Sequence, residues 1–93
     1  CVGKTDKNVQ TRAVLFVNKA DDTKGLVAIS LDKIGLFVSD TAIDWNDNPQ
    51  GLPRFHDNDY DLDIVISDKK AAADDILVND HYVSVLTCTY KPQ

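Results

Sequence analysis

The sequence predicts an all-β domain, either an antiparallel β-sandwich or a small closed barrel, and a small sandwich of about six strands is the expected form. Three observations lead there. Short runs rich in apolar and β-branched residues recur along the chain, separated by polar turns containing Gly, Asn and Asp. All fifteen acidic residues are Asp, and the chain has no Glu and no Met, so two residue types that favour helices are missing. With 93 residues, one core is all the chain can fill, so residues 1–93 are read as a single domain.

The elements follow in order. Residues 9–17 (VQTRAVLFV) read as a central strand, being too short and too β-branched for a helix. Residues 18–25 (NKADDTKG) have hairpin-loop chemistry, and 26–31 form the returning strand. Asp32 and Lys33 make a two-residue turn into a third strand over 34–39, so the chain starts as a meander. From Asp40 to Asp59 the periodicity stops, and Ile43, Trp45, Leu52 and Phe55 are expected to pin a long central loop. Residues 60–66 alternate, with Tyr60, Leu62, Ile64 and Ile66 on one face and Asp57, Asp59, Asp61 and Asp63 on the other if the strand begins early. Residues 67–75 (SDKKAAADD) are the one candidate for a short helix, capped by Ser67 or Asp68. Strands over 76–78 and 82–90, joined by a turn at Asn79 and Asp80, close the chain.

The chain starts at Cys1, as a processed product or a fragment would, and no apolar run is long enough to cross a bilayer. A secreted protein meets an oxidising compartment, so Cys1 and Cys88 are expected to pair. Closing so long a loop stabilises by roughly 4 to 5 kcal/mol in the chain-entropy account. The other reading makes Cys1 the lipid-bearing first residue of a bacterial lipoprotein, with Cys88 a free thiol.

The net charge of −5 is unevenly held. Between Asp40 and Asp63 lie seven Asp against one Arg, while the rest of the chain sets eight Asp against nine Lys and Arg. A surface of this sign excludes nucleic acid as the expected partner, because phosphate binding needs a basic face. It suits a protein with a basic surface. It also suits Ca²⁺, a hard cation that takes oxygen ligands at alternate positions, and Asp44, Asp57, Asp59 and Asp61 are the candidate ligands. No other cofactor is expected.

Residues 57–61 (D-N-D-Y-D) are similar to the D-N-D-Y-N-D segment of small microbial lectins that bind fucose or mannose through Ca²⁺. Leu62 stands where that segment has an Asp ligand, and the chain ends in Lys91-Pro92-Gln93 where that family offers a terminal Gly carboxylate. Residues 44–48 (D-W-N-D-N) resemble the linker motif of cadherin repeats, set here in mid-chain. The lectin resemblance implies a glycan as partner.

Catalysis is not expected. His56 and His81 have acidic neighbours in Asp57 and Asp80, but there is no nucleophile elbow, H-E-x-x-H or C-x-x-C pattern. The aromatic residues Trp45, Phe55 and Tyr60, set among carboxylates, are the candidate anchors for a partner. The sequence thus suggests a secreted or surface-exposed, non-enzymatic module of the effector, inhibitor or adhesion kind. It would bind a protein through Trp45, Phe55, Asp57, Asp59, Tyr60 and Asp61. A Ca²⁺-dependent carbohydrate-binding domain and a viral or pilus structural subunit are the other two readings.

Overall fold

Inward and outward side chains alternate along eight antiparallel strands in the computed structural model, which describes residues 1–45 and 52–89. The strands are β1 (Val2–Thr5), β2 (Gln10–Val17), β3 (Lys24–Leu31), β4 (Gly35–Asp44), β5 (Arg54–His56), β6 (Asp63–Ser67), β7 (Lys70–Leu77) and β8 (Asp80–Thr87). Each pairs with the next in sequence, and β8 returns to β1, from Val2 against Thr87 to Thr5 against Ser84. The fold is therefore a closed eight-stranded barrel and not the expected six-strand sandwich. A sandwich leaves edge strands, whereas here every strand has a neighbour on both sides. A disulfide between Cys1 and Cys88 fastens the seam, and Cys1 and Ala13 exchange backbone hydrogen bonds of 2.8 Å just beyond it.

The two extra strands, β1 and β5, are only four and three residues long, too short for a periodicity to show, and β5 falls within the expected central loop. β7 takes in the strand expected from residue 76 and replaces the helix expected over 67–75. Ser67 pairs directly with Lys70, so Asp68 and Lys69 form a tight turn, with Asp68 at φ 56°. After it Ala71, Ala73, Asp75 and Leu77 point inward while Ala72, Asp74 and Ile76 point outward. Alanine is a weak strand former, but the inside of a narrow barrel needs small side chains opposite large ones, and that packing demand overrides propensity.

The same size rule runs through the interior. Phe55, Ile64, Leu77, Leu86 and Val27 are the large fillers, set against Ala13, Ala71, Ala73 and Ser84. Gly25 on β3 makes room for the largest of them. A methyl group there would lie 2.6 Å from the Phe16 carbonyl oxygen, 2.8 Å from Ile43 Cδ1 and 2.9 Å from Phe55 Cε2. Since the carbonyl belongs to the β2–β3 ladder, it cannot give way without disturbing the barrel wall.

The turn joining β7 to β8 falls one residue earlier than expected, on Val78 and Asn79, with φ of 54° and 63°. Asn tolerates the left-handed region, but Val, branched at Cβ, does not. Val78 packs against little, being 63% exposed.

Two predictions follow from these positions. Gly25→Ala lowers stability by about 1–3 kcal/mol through overpacking, read as a fall in the denaturant midpoint. Val78→Asn raises stability by about 1 kcal/mol in the same assay by relieving the turn.

Candidate functional site

An up-and-down barrel sends alternate connections to opposite ends. The β1–β2, β3–β4, β5–β6 and β7–β8 connections share one end, which therefore gathers Asp6, Asp32, Asp57, Asp59, Asp61 and Asp80 against Lys7 and Lys33. At the other end the acids have closer company. Asp21 accepts hydrogen bonds from Thr23 N (3.0 Å) and Oγ1 (2.6 Å), which hold its carboxyl below the usual range, and Lys19, Lys24, Lys69 and Lys70 lie in or beside those connections.

The largest connection at the acidic end, residues 57–62, is built around Asp57. Its Oδ1 accepts from Tyr60 N (3.3 Å) and Leu62 N (3.0 Å), and its own N–H donates to the Leu62 carbonyl at 3.0 Å. Ile76 N donates to the Tyr60 carbonyl at 2.7 Å, tying the loop to β7. The Tyr60 ring meets Phe37 of β4 edge-on, with centroids 5.9 Å apart. Leu62 descends into the core. Asp59 and Asp61 are left exposed, Asp61 at φ 46°. Because β6 begins only at Asp63, the expected acidic strand face over 57–63 does not form. Asp63 itself is held by both its oxygens to Arg54, at 2.7 and 2.8 Å.

The candidate residues are thus only partly brought together. Asp57, Asp59, Tyr60 and Asp61 share the loop, with Asp57 turned inward as its scaffold. Asp44, the remaining candidate Ca²⁺ ligand, stands opposite Arg54 at the start of β5, on the side away from the loop. Among the described residues no three His, Cys or Asp side chains converge as a metal ion would require. Asn46, Asp47 and Asn48 of the D-W-N-D-N segment lie outside the described residues, as does Tyr90. Phe55 is 1% exposed and belongs to the core, so its ring offers no surface to a partner. Trp45 follows β4 at the other end of the barrel, half-buried, its Nε1 donating to the Asp22 carbonyl at 2.7 Å. His81 contacts Asp74 on the outer wall and not Asp80, while His56 is three strands away on β5, opposite Asp63.

Two features escaped sequence reasoning. The first is Asp75, which points into the barrel from β7 between Ala73 and Leu77 and is only 2% exposed. Its Oδ1 is buried with no hydrogen-bond partner, and so is Oδ2 of Asp57. Burial above all, then the negative charge of Asp74 and Asp57, pushes the Asp75 carboxyl up to about 6, against the pull of His81 and Lys7. Lys7 reaches over this rim, its Nζ 4.4 Å from the centre of the Tyr82 ring and bonded to the His81 carbonyl. The strand alternation of 71–77 would have shown an inward Asp, but reading that stretch as a helix concealed it. The second is the outer wall of β2, β3 and β4, where Val14, Phe16, Leu36 and Val38 stand about half exposed or more.

Comparison with known protein families, with characterised proteins and with solved structures finds no match.

Asp75 makes stability pH-dependent. In the unfolded chain it ionises near 3.8 and in the barrel near 6, so folding takes up a proton between those values and stability falls as pH rises through that window. At about 1.4 kcal/mol per pH unit the loss is on the order of 3 kcal/mol. Asp75→Asn removes this loss. The variant is expected to melt higher than the parent at pH 7.5 and to show a flatter dependence between pH 4 and 7, read by thermal denaturation across a pH series.

Proposed function

We propose that this chain is a non-enzymatic interaction module working outside the cell or at a cell surface, and that it binds the basic surface of a protein partner through the acidic end of its barrel. The observation carrying this reading is the 57–62 loop. It is fastened by Asp57, by Ile76 and by the Tyr60–Phe37 contact, yet it presents the carboxylates of Asp59 and Asp61 to solvent. A loop ordered before binding loses little entropy on docking, and the carboxylates of Asp59 and Asp61, which among the described residues have no ion-pair partner, favour a cationic partner through both encounter rate and register. Asp6, Asp32 and Asp80, in the neighbouring connections, extend the same field. The Cys1–Cys88 disulfide supports an oxidising compartment, since such bonds are rare in reducing ones. Relative to the sequence reading, the contact surface is narrowed to Asp59, Tyr60 and Asp61, with Asp57 as scaffold and without Phe55 or Trp45.

A photo-crosslinking residue at the exposed Asn58 tests this. The expected result is capture of a basic protein that, once purified, binds the wild type with an affinity falling steeply with salt. Asp59→Asn with Asp61→Asn should weaken that binding at least tenfold, about 1.4 kcal/mol, without changing the melting temperature by more than a few degrees. Equal binding by the double variant would remove the acidic end from the interface.

A further inference from the structure

The outer wall of β2, β3 and β4 has an ordered pattern. Three outward rungs span all three strands, Arg12–Ser30–Leu36, Val14–Ala28–Val38 and Phe16–Leu26–Asp40, and Lys24–Ala42 continues the face on β3 and β4. One diagonal of this grid, Phe16 through Ala28 to Leu36, is wholly apolar. The other ends on Arg12 and Asp40, which are exposed and, among the described residues, have no ion-pair partner within the chain. Phe16 is 48% and Leu36 68% exposed, with Val14 and Val38 at 50%, so the apolar part is a continuous patch and not a scatter of single side chains.

We infer that this face binds a second copy of the chain about a two-fold axis lying along the apolar diagonal. Such an axis places Phe16 on Phe16 and Leu36 on Leu36. It also exchanges the two off-diagonal corners, so that Arg12 of each copy faces Asp40 of the other, twice over. An isologous interface requires a patch complementary to itself, and this arrangement supplies apolar contact along the axis with opposite charges on either side of it. The strands of the two copies then cross steeply, as in orthogonal sheet packing. A different axis loses the match: one parallel to the strands sets Asp40 against Phe16 and Arg12 against Leu36. The face is small, so the dimer belongs to the weak class, and its affinity is on the order of 100 µM. This inference does not rest on the acidic loop, which lies on a different part of the barrel.

Sedimentation equilibrium over a concentration series tests it, using Arg12→Asp and Asp40→Arg alone and mixed. The wild type is expected to rise from 10.3 kDa toward twice that mass as it is concentrated. Each single variant should stay monomeric, since its corners bring like charges together. An equimolar mixture should associate at least as well as the wild type, because both corners again pair Asp with Arg, and this recovery also shows that both variants are folded. Wild type that stays monomeric at about 1 mM overturns the inference and leaves the face to a different partner. Association that the single variants retain, or that the mixture fails to restore, also overturns it.

Discussion

The seam between β1 and β8 is the contact on which the rest of the barrel depends. It joins the two ends of the described chain, is the pairing of greatest sequence separation, and comprises only four residue pairs. Around that short ladder, reinforcement is dense: the Cys1–Cys88 disulfide, the Cys1–Ala13 exchange, and Asp6, whose N–H donates to the Val83 carbonyl while its carboxylate accepts from Val83 N. Open the seam and the interior formed by Phe55, Ile64 and Leu86 loses one wall. In a 93-residue chain no second layer stands ready to cover it.

Closure also sets what the interior can hold. A barrel this narrow alternates large and small side chains, and the chain meets that demand with Ala, Ser, Thr and the closely packed Gly3 and Gly25. The resulting wall is unusual in composition, for Thr11, Ser84 and Asp75 are fully buried while Phe16 and Leu36 face out. Hydrophobicity alone therefore does not tell inside from outside in this protein. The acidic end follows from the same topology: connections far apart in sequence, at Asp6, Asp32, Asp59 and Asp80, come to one rim because the strands run up and down without a crossover.

How legible all this was in the sequence depended on the length and regularity of each element. The strands read over 9–17 and 26–31, which the structure places at 10–17 and 24–31, and the Cys1–Cys88 pair could be read directly from long runs and cysteine arithmetic. The turn after Leu31 was placed correctly but spans Asp32, Lys33 and Ile34 and not two residues. β1 and β5 could not, being single short rungs that exist only because neighbours pair with them. β7 was misread because AAADD has helix composition and only its place in the barrel makes it a strand. At the acidic loop the residues were legible and their roles were not. Nothing in D-N-D-Y-D says that the first Asp turns inward to bond Tyr60 and Leu62 while the next two turn out. Phe55 and Trp45 could be read both as pins of the loop and as anchors for a partner for a similar reason, since aromatics in polar company give no sign of which side of a wall they occupy, and Phe55 proves to be core.

The ring of strands is complete, so no described strand stands at an edge, although the ladders are uneven: β4 pairs with β3 from Gly35 to Ala42 but with β5 only from Ala42 to Asp44. Many small β domains recruit partners by lending a free edge, so that the backbone supplies affinity whatever the side chains are. Among the described strands of this one, none has a wholly free edge to lend. Contacts made by side chains on its walls and rims can be rewritten in a few outward residues without touching the ladders that hold the barrel together.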